Sequence, residues 1–184
     1  MRKSIFHALL LAATAALIFY AAYWAKENDA FSRIVAEYGY KGIFFVALIS
    51  GFNLAVPVPA VAFLPLFLEA GLSFWPTVII IVLGITSADL IAYFIGKVGN
   101  QIASSAFESK ILAKLTRARD RYRWMPIAAL CIFASLAPLP NEILLVPLGF
   151  LGYRFLHIFP AVLVGNFIFN TLYAMGVVSL FEAL

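Results

Sequence analysis

Long apolar stretches divided by short polar segments run along the whole chain. Three of them lie at residues 5–24, 74–95 and 155–178, and each has about the 20 residues that a helix needs to cross the hydrocarbon core. Each is therefore predicted to be a transmembrane helix. For the first stretch a cleaved signal peptide is the alternative, although its apolar run is longer than signal peptides have and no small-residue cleavage site follows it.

Two further apolar stretches, residues 42–70 and 125–151, contain prolines near their centres. Proline removes a backbone donor and clashes with the preceding turn, so a Pro-x-Pro step demands non-helical backbone. At membrane depth such backbone must be shielded by protein or face a water-filled cavity. Each stretch is therefore predicted to be broken in its middle. The prolines at the two breaks are Pro57, Pro59, Pro138 and Pro140.

The two proline-broken stretches echo each other at a constant spacing of 81 residues. The matched pairs are Pro57 and Pro138, Pro59 and Pro140, Leu64 and Leu145, Gly71 and Gly152, Phe74 and Phe155, Gly84 and Gly165, and Asp89 and Asn170. This pattern predicts a duplicated membrane unit. Proteins built from two such units place a substrate site where the broken segments meet near the bilayer midplane, so transport is the first functional hypothesis.

Basic residues are concentrated between the two copies. They are Lys97, Lys110, Lys114, Arg117, Arg119, Arg121 and Arg123, against Glu108 and Asp120. The positive-inside rule places this segment in the cytoplasm, on the same side as Arg2 and Lys3. Both regions can be cytoplasmic only if residues 42–70 dip into the membrane and return, which favours a re-entrant hairpin. The second hairpin then enters from the cytoplasmic face and returns at Arg154.

These arguments predict an all-α integral membrane protein. It has an N-terminal transmembrane helix and an inverted repeat of two re-entrant helical hairpins, each followed by a transmembrane helix. Residues 1–41 form the anchor and an interfacial segment, and residues 42–184 form the membrane domain. That domain divides into repeat 1 at 42–97, a basic amphipathic connector at 98–124 and repeat 2 at 125–184. Full kinked spans in place of both hairpins remain the alternative.

Composition agrees with a lipid environment, because 64% of the 184 residues are hydrophobic and only 12% are charged, with a mean hydropathy of +0.99. The lone Cys131 excludes an intrachain disulfide. Neither histidine has a second ligand at metal spacing, so no metal or other cofactor is predicted. The sequence has no paired nucleophile and base and no phosphate-cradling loop, so an enzyme is not expected.

Polar residues at membrane depth are the candidates for function, because burying a charge there costs at least about 2.5 kcal/mol. Asp89 lies mid-span and can share a helix face with Thr86 and Tyr93. It is either a protonatable or cation-binding carboxylate or a structural hydrogen-bond partner of a hairpin tip. Glu142 is either near the midplane or an interfacial residue, depending on hairpin depth. The predicted substrate or proton path comprises Asp89, Glu142, Asn53, Asn141, Tyr93 and Ser135.

The connector carries a basic stripe beside an apolar one at helical spacing. The stripe consists of Lys110, Lys114, Arg117 and Arg121. Such a helix can lie at the membrane surface with its basic side chains toward lipid headgroups, or it can serve only as a topology anchor. A short basic segment against a membrane is a poor candidate for a nucleic-acid reader, so no nucleic-acid partner is predicted.

The chain resembles the DedA/VTT superfamily of membrane proteins, also called the SNARE-associated Golgi protein family, over about residues 42–177. The residues that match its span motif are Gly84, Asp89, Tyr93 and Gly96, with Ala88 in place of its second glycine and Lys97 in place of its arginine. The residues that match its hairpins are Pro57, Pro59, Pro138, Pro140 and Asn141. The step at the second hairpin is similar to the eukaryotic branch. Phe52 replaces the acidic residue of many bacterial members, and Ser135 and Asn141 replace two arginines.

The resemblance implies movement of phospholipids or polyprenyl-phosphate lipids across the bilayer, flippase- or scramblase-like, with proton linkage through Asp89 or Glu142. The missing arginines favour an uncoupled, scramblase-like path, because guanidinium groups suit phosphate oxygens. A small-solute or ion transporter and a non-transporting assembly or scaffold protein are the alternatives. Membrane lipids are the expected partners and a homo-oligomer is left open. The expected location is a bacterial inner membrane, multi-pass, with a eukaryotic internal membrane as the alternative.

Overall fold

The computed structural model describes residues 29–52, 59–103, 122, 124–137 and 139–182, and every regular element in these ranges is helical. The predicted N-terminal helix, most of the connector and the Pro57 and Pro138 positions lie outside the described residues. An all-helical protein was predicted, and the described part of the chain confirms it.

Six helices and one short 3-10 turn make up the described chain. The helices are α1 (Asp29–Ser50), α2 (Leu64–Glu69), α3 (Phe74–Ala103), α4 (Met125–Leu136), α5 (Glu142–Phe150) and α6 (Phe155–Glu182), and the 3-10 turn (Ala60–Phe63) precedes α2. Helix α1 joins the predicted interfacial segment to the first hairpin without a gap. It is kinked at Gly39, whose φ of 49° lies in the left-handed region that glycine adopts without strain.

Among the described helices, two are long and apolar enough to cross a membrane by length and composition, Phe74–Gly99 within α3 and Phe155–Ser179 within α6. Both were predicted as spans. Large apolar side chains on them are exposed rather than packed, among them Ile91 and Ile95 on α3 and Leu172 and Met175 on α6. Exposed apolar surface on such helices fits contact with lipid acyl chains better than contact with water.

Helices α1 and α3 lie side by side and run in the same direction. Just after the kink in α1 and just before the start of α3, the Ser73 amide donates to the Tyr40 hydroxyl over 3.2 Å. Further along, Gly84 leaves room for Ala47, since a Cβ at Gly84 would lie 2.6 Å from the Ala47 Cβ. The chain therefore advances along α1 and returns through α2 to the level of Tyr40, before it advances again along α3.

The second half of the chain has a similar arrangement. The rings of Trp124 and His157 meet edge-on at 5.0 Å, which puts the starts of α4 and α6 together. A Cβ at Gly165, the residue matched to Gly84, would lie 2.5 Å from the Ala134 Cβ. Helices α4 and α6 are thus also side by side and codirectional.

Two glycines with positive φ end the short helices α2 and α5. Gly71 has φ 88° and Gly152 has φ 70°. The Gly71 and Leu72 amides donate to Leu68 and Phe67, 3.0 and 3.1 Å. The Gly152 and Tyr153 amides donate to Gly149 and Leu148, 3.0 and 3.2 Å, which are the same four positions shifted by 81 residues. This bonding is a Schellman C-cap, for which glycine at the positive-φ position is strongly favoured.

Helices α3 and α6 cross in opposite directions at the centre of the molecule. Phe155, at the start of α6, stacks on Phe94 of α3 with ring centroids 5.6 Å apart. Ala174, near the end of α6, packs in one buried cluster with Val78 and Ile81 near the start of α3. The midpoint of this crossing carries the buried polar residues described next.

Candidate functional site

Asp89 lies at the middle of α3, where the crossing helix α6 and the start of α5 meet, and its side chain is 0% exposed. Its Oδ2 atom accepts two hydrogen bonds, from Asn166 Nδ2 at 2.7 Å and from Asn141 Nδ2 at 3.0 Å. The carboxylate is therefore held by two amide donors from two other elements. Charge-assisted bonds of this kind are stronger than neutral ones.

Asn166, on α6, organises the polar cluster. Its Nδ2 donates to the Thr86 hydroxyl at 3.0 Å as well as to Asp89, and its Oδ1 accepts from Asn141 Nδ2 at 2.9 Å. Both hydrogens of its amide and its carbonyl oxygen are thus used. The bonds connect α6 with α3 and with the break before α5.

Asn141 lies at that break, as the N-cap residue of α5. Its backbone carbonyl accepts from the Leu144 and Leu145 amides at 3.0 and 2.9 Å, while its side chain points to Asp89 and Asn166. The residue that ends the non-helical step therefore also supplies a donor to the buried carboxylate. Its place in a transport path stays a prediction.

Glu142 begins α5 and is buried, with 7% of its surface exposed. Its carboxyl lies close enough to Asp89 for the two groups to interact electrostatically. A carboxylate at a helix N-terminus is favoured by the helix dipole. Within the described part of the chain, neither Glu142 carboxyl oxygen has a hydrogen-bond partner, and Asp89 Oδ1 has none.

No buried cation faces this acidic pair among the described residues. The Lys and Arg side chains whose surroundings are described are Arg33, Lys41, Lys97 and Arg154, and all four are exposed. The cluster is accordingly rich in oxygen acceptors and short of positive charge. It can bind a cation or a proton, or donate amide hydrogens to the oxygens of a polar ligand.

Two predicted path residues do not join this hydrogen-bonded cluster. The Tyr93 hydroxyl donates to the Tyr153 carbonyl at 2.6 Å and its ring packs in a buried apolar cluster. The Ser135 hydroxyl donates to the Cys131 carbonyl of its own helix at 2.7 Å. Both side chains are buried, but their hydroxyls donate to backbone carbonyls and not to the cluster around Asp89.

Other predicted residues either lie outside the described part of the chain or contribute only backbone groups to the structure. Those outside are Asn53, Pro57, Pro138, Lys110, Lys114, Arg117 and Arg121. Pro59 is the N-cap of the 3-10 turn, and the Pro140 carbonyl accepts from the Ile143 amide at 3.2 Å. These prolines therefore start the short helices that follow the two breaks.

Asn166 and Thr86 are the functional candidates missing from the predicted path. Both are polar residues in otherwise apolar spans, and that pattern is the signal that could have selected them. No group of three or more His, Cys, Asp or Glu side chains suited to a metal ion occurs in the described ranges. The site therefore consists of two carboxyl groups surrounded by neutral amides and a hydroxyl.

Comparison of this chain with protein-family models, with curated proteins and with solved structures finds no match.

Proposed function

We propose that this chain is a membrane transport protein that moves lipids across the bilayer in a flippase- or scramblase-like manner. The observation that carries the proposal is the Asp89 carboxylate, buried where two apolar helices of spanning length cross and joined to Asn141 at a helix break. A buried carboxylate at membrane depth is costly and marks substrate or ion pathways. Lipid headgroups would follow the polar residues while their acyl tails remain in the membrane.

The proposed architecture is an inverted repeat of two re-entrant hairpins. Its support is that α4, of 12 residues, and α5, of 9, span only about 18 and 14 Å, too short to cross a bilayer alone. The contact between Tyr40 and Ser73 also favours return of the first hairpin to its face of entry. The matched C-caps at Gly71 and Gly152 favour a repeated unit. Opposite directions of α3 and α6 favour inversion.

The remaining expectations follow from this architecture. A DedA/VTT relationship, a multi-pass location in a bacterial inner membrane, and membrane lipids as partners, with or without a homo-oligomer, belong to the same proposal. Ser135 and Asn141 are neutral, so no guanidinium at these two positions grips a phosphate. An uncoupled, scramblase-like path fits neutral positions better than a phosphate-selective one.

A small-solute or ion transporter is the second candidate. The observation in its favour is enclosure, because Asp89, Asn141 and Asn166 are all less than 7% exposed. A lipid path needs a lateral opening to the bilayer, whereas a small solute can occupy a closed cavity. A scaffold role is the third candidate, in which the same hydrogen bonds only hold the helices together.

The test is a lipid-transfer assay with the purified full chain in liposomes that carry a fluorescent phospholipid in both leaflets. Dithionite quenches only the outer leaflet unless lipid crosses. Wild type is compared with Asp89→Asn and Glu142→Gln, which remove charge at nearly constant shape, and with Glu37→Gln, a matched change at an exposed carboxylate.

Quenching beyond the outer-leaflet fraction in wild type and Glu37→Gln, reduced in either buried variant, is the expected result. Quenching equal to that of empty liposomes, from folded wild-type protein, would reject scrambling and favour a solute transporter or a scaffold. Equal quenching by wild type and both buried variants would show that lipid does not cross through the cluster around Asp89 and Glu142.

A further inference from the structure

The oxygens of the Asp89 and Glu142 carboxyl groups are satisfied very unequally. Asp89 Oδ2 accepts two amide hydrogens, but Asp89 Oδ1 and both oxygens of Glu142 accept none. All three are buried, and an unpaired buried carboxylate oxygen is strongly unfavourable. Something other than the described side chains must compensate them.

Asn170 on α6 also carries a buried acceptor without a donor. Asn170 lies one helical turn after Asn166 and donates its Nδ2 to the Asn166 backbone carbonyl at 2.8 Å. Its Oδ1 is buried and has no donor. This residue is independent of the acidic pair, and it too presents an oxygen without a hydrogen.

We propose that Asp89 and Glu142, at the crossing of α3, α5 and α6, bind one sodium ion. Carboxylate, amide and hydroxyl oxygens are the ligands that hard cations prefer. The inference rests on the proposed function only in placing this cluster within the membrane. It names the ion of that site and does not require that lipid moves through it.

The number of unpaired oxygens favours a metal ion over a proton. One proton bonds to a single oxygen and donates to a second, so it leaves a third carboxyl oxygen unpaired. A metal ion is not limited to two oxygens, because it coordinates several ligands at once.

The charge balance favours a monovalent ion over calcium. The Asp89 charge is already stabilised by amide donors from Asn141 and Asn166, which leaves the Glu142 charge to be balanced. A calcium ion would bring two positive charges to a site in which one negative charge remains to be balanced.

The test measures sodium binding without any transport. The full chain is purified in detergent, and its unfolding midpoint is followed by tryptophan fluorescence in NaCl or in choline chloride of equal ionic strength. A ligand that binds only the folded state raises the midpoint, here by about 5 °C at saturation. Equilibrium binding of radioactive sodium ions is measured on the same preparations.

The expected result is a sodium-specific rise and saturable sodium binding in wild type and in Glu37→Gln, with both lost in Asp89→Asn and Glu142→Gln. Glu142→Asp keeps the charge but shortens the side chain by one methylene group. It should weaken sodium affinity by about 10-fold or more while the protein stays folded. If the neutral variants do not fold, the sodium affinity of Glu142→Asp tests whether Glu142 binds the ion.

Four outcomes would overturn the inference. They are the same midpoint in sodium and choline with no saturable binding; sodium binding that is unchanged in the Asp89 and Glu142 variants; stabilisation by calcium at much lower concentration; and stabilisation in choline by acidification alone, which would make the occupant a proton. If one of these outcomes is found and the wild-type protein still transfers lipid, the sodium site is rejected and the proposed function is kept. Sodium binding without lipid transfer would keep this inference and reject the proposed function.

Discussion

Asn166 on α6 donates its side-chain amide to the Asp89 carboxylate on α3 over 2.7 Å, which joins the two helices of spanning length at their crossing. The two residues are separated by 77 positions in the chain. The same amide also holds the Thr86 hydroxyl, so one asparagine bridges two positions on α3 that are three residues apart. The crossing of the two helices is therefore pinned by polar bonds inside an apolar surrounding.

Replacement of Asn166 by alanine should destabilise the protein. Asp89 would lose one of its two donors and Thr86 would lose its asparagine partner, and a buried acceptor left unpaired costs about 1–3 kcal/mol. The unfolding midpoint in detergent should fall by about 2–4 °C for each kcal/mol. Ser87→Ala is the control, because that hydroxyl donates only to Leu83 of its own helix. An Asn166→Ala midpoint as high as that of Ser87→Ala would contradict the bridging role.

Gly149→Ala should separate α5 from α3. A Cβ at this position would overlap the Tyr93 carbonyl oxygen and lie 3.0 Å from the Lys97 amide nitrogen, and backbone atoms cannot move aside cheaply. Overpacking of this kind costs about 1–3 kcal/mol, to be read from denaturant or thermal unfolding. Gly176→Ala is the matched control, since a Cβ there meets nothing within 4 Å. Alanine in that helical position should leave stability unchanged or raise it slightly.

Gly71→Ala tests a purely conformational requirement. A Cβ at Gly71 meets nothing within 4 Å, but its φ of 88° is one that alanine adopts at a cost of about 1–2 kcal/mol. Asparagine tolerates positive φ better, so Gly71→Asn should lose less stability than Gly71→Ala in the same unfolding experiment. Equal losses would show that the C-cap does not depend on this conformation.

Tyr93→Phe should weaken the fold by about 1 kcal/mol, because it removes the buried hydrogen bond to the Tyr153 carbonyl. Thermal unfolding measures the loss, with Tyr38→Phe at an exposed position as control. Lipid transfer by folded Tyr93→Phe should match wild type, since the hydroxyl is committed to Tyr153. If Tyr93→Phe loses lipid transfer but keeps its thermal stability, the Tyr93 hydroxyl belongs to the substrate path.

The local features of this fold could be predicted from the sequence more completely than its long-range contacts. Apolar length alone predicts α3 and α6, and the sequence repeat pairs Gly71 with Gly152, which share one C-cap bonding pattern in the structure. Asp89 stands out in the sequence because a carboxylate inside an apolar span is energetically costly. The kink at Gly39 was not predicted, since a single glycine inside a helical pattern is often tolerated without a kink.

The partners of Asp89 could not be predicted from spacing. Asn166 and Asn170 both lie on α6 within one turn, and only the crossing of α6 over α3 decides that Asn166 reaches the carboxylate. Tyr93 shares a face with Asp89 by spacing, yet its longer side chain reaches the turn after α5 instead. Contacts of this kind depend on helix packing, which hydrophobic periodicity does not encode.

The side of the membrane reached by each exposed position provides the last prediction. Because Tyr40 and Ser73 are in contact, cysteines placed at Tyr38 and Ser73 should react with an impermeant maleimide from the same face. A cysteine at Lys97, near the other end of α3, should react only from the opposite face. The background is Cys131→Ser, and Ile91→Cys, on the apolar surface of α3, should stay unlabelled. Opposite labelling of the Tyr38 and Ser73 positions would mean that residues 42–70 cross the membrane, and would reject the re-entrant hairpin.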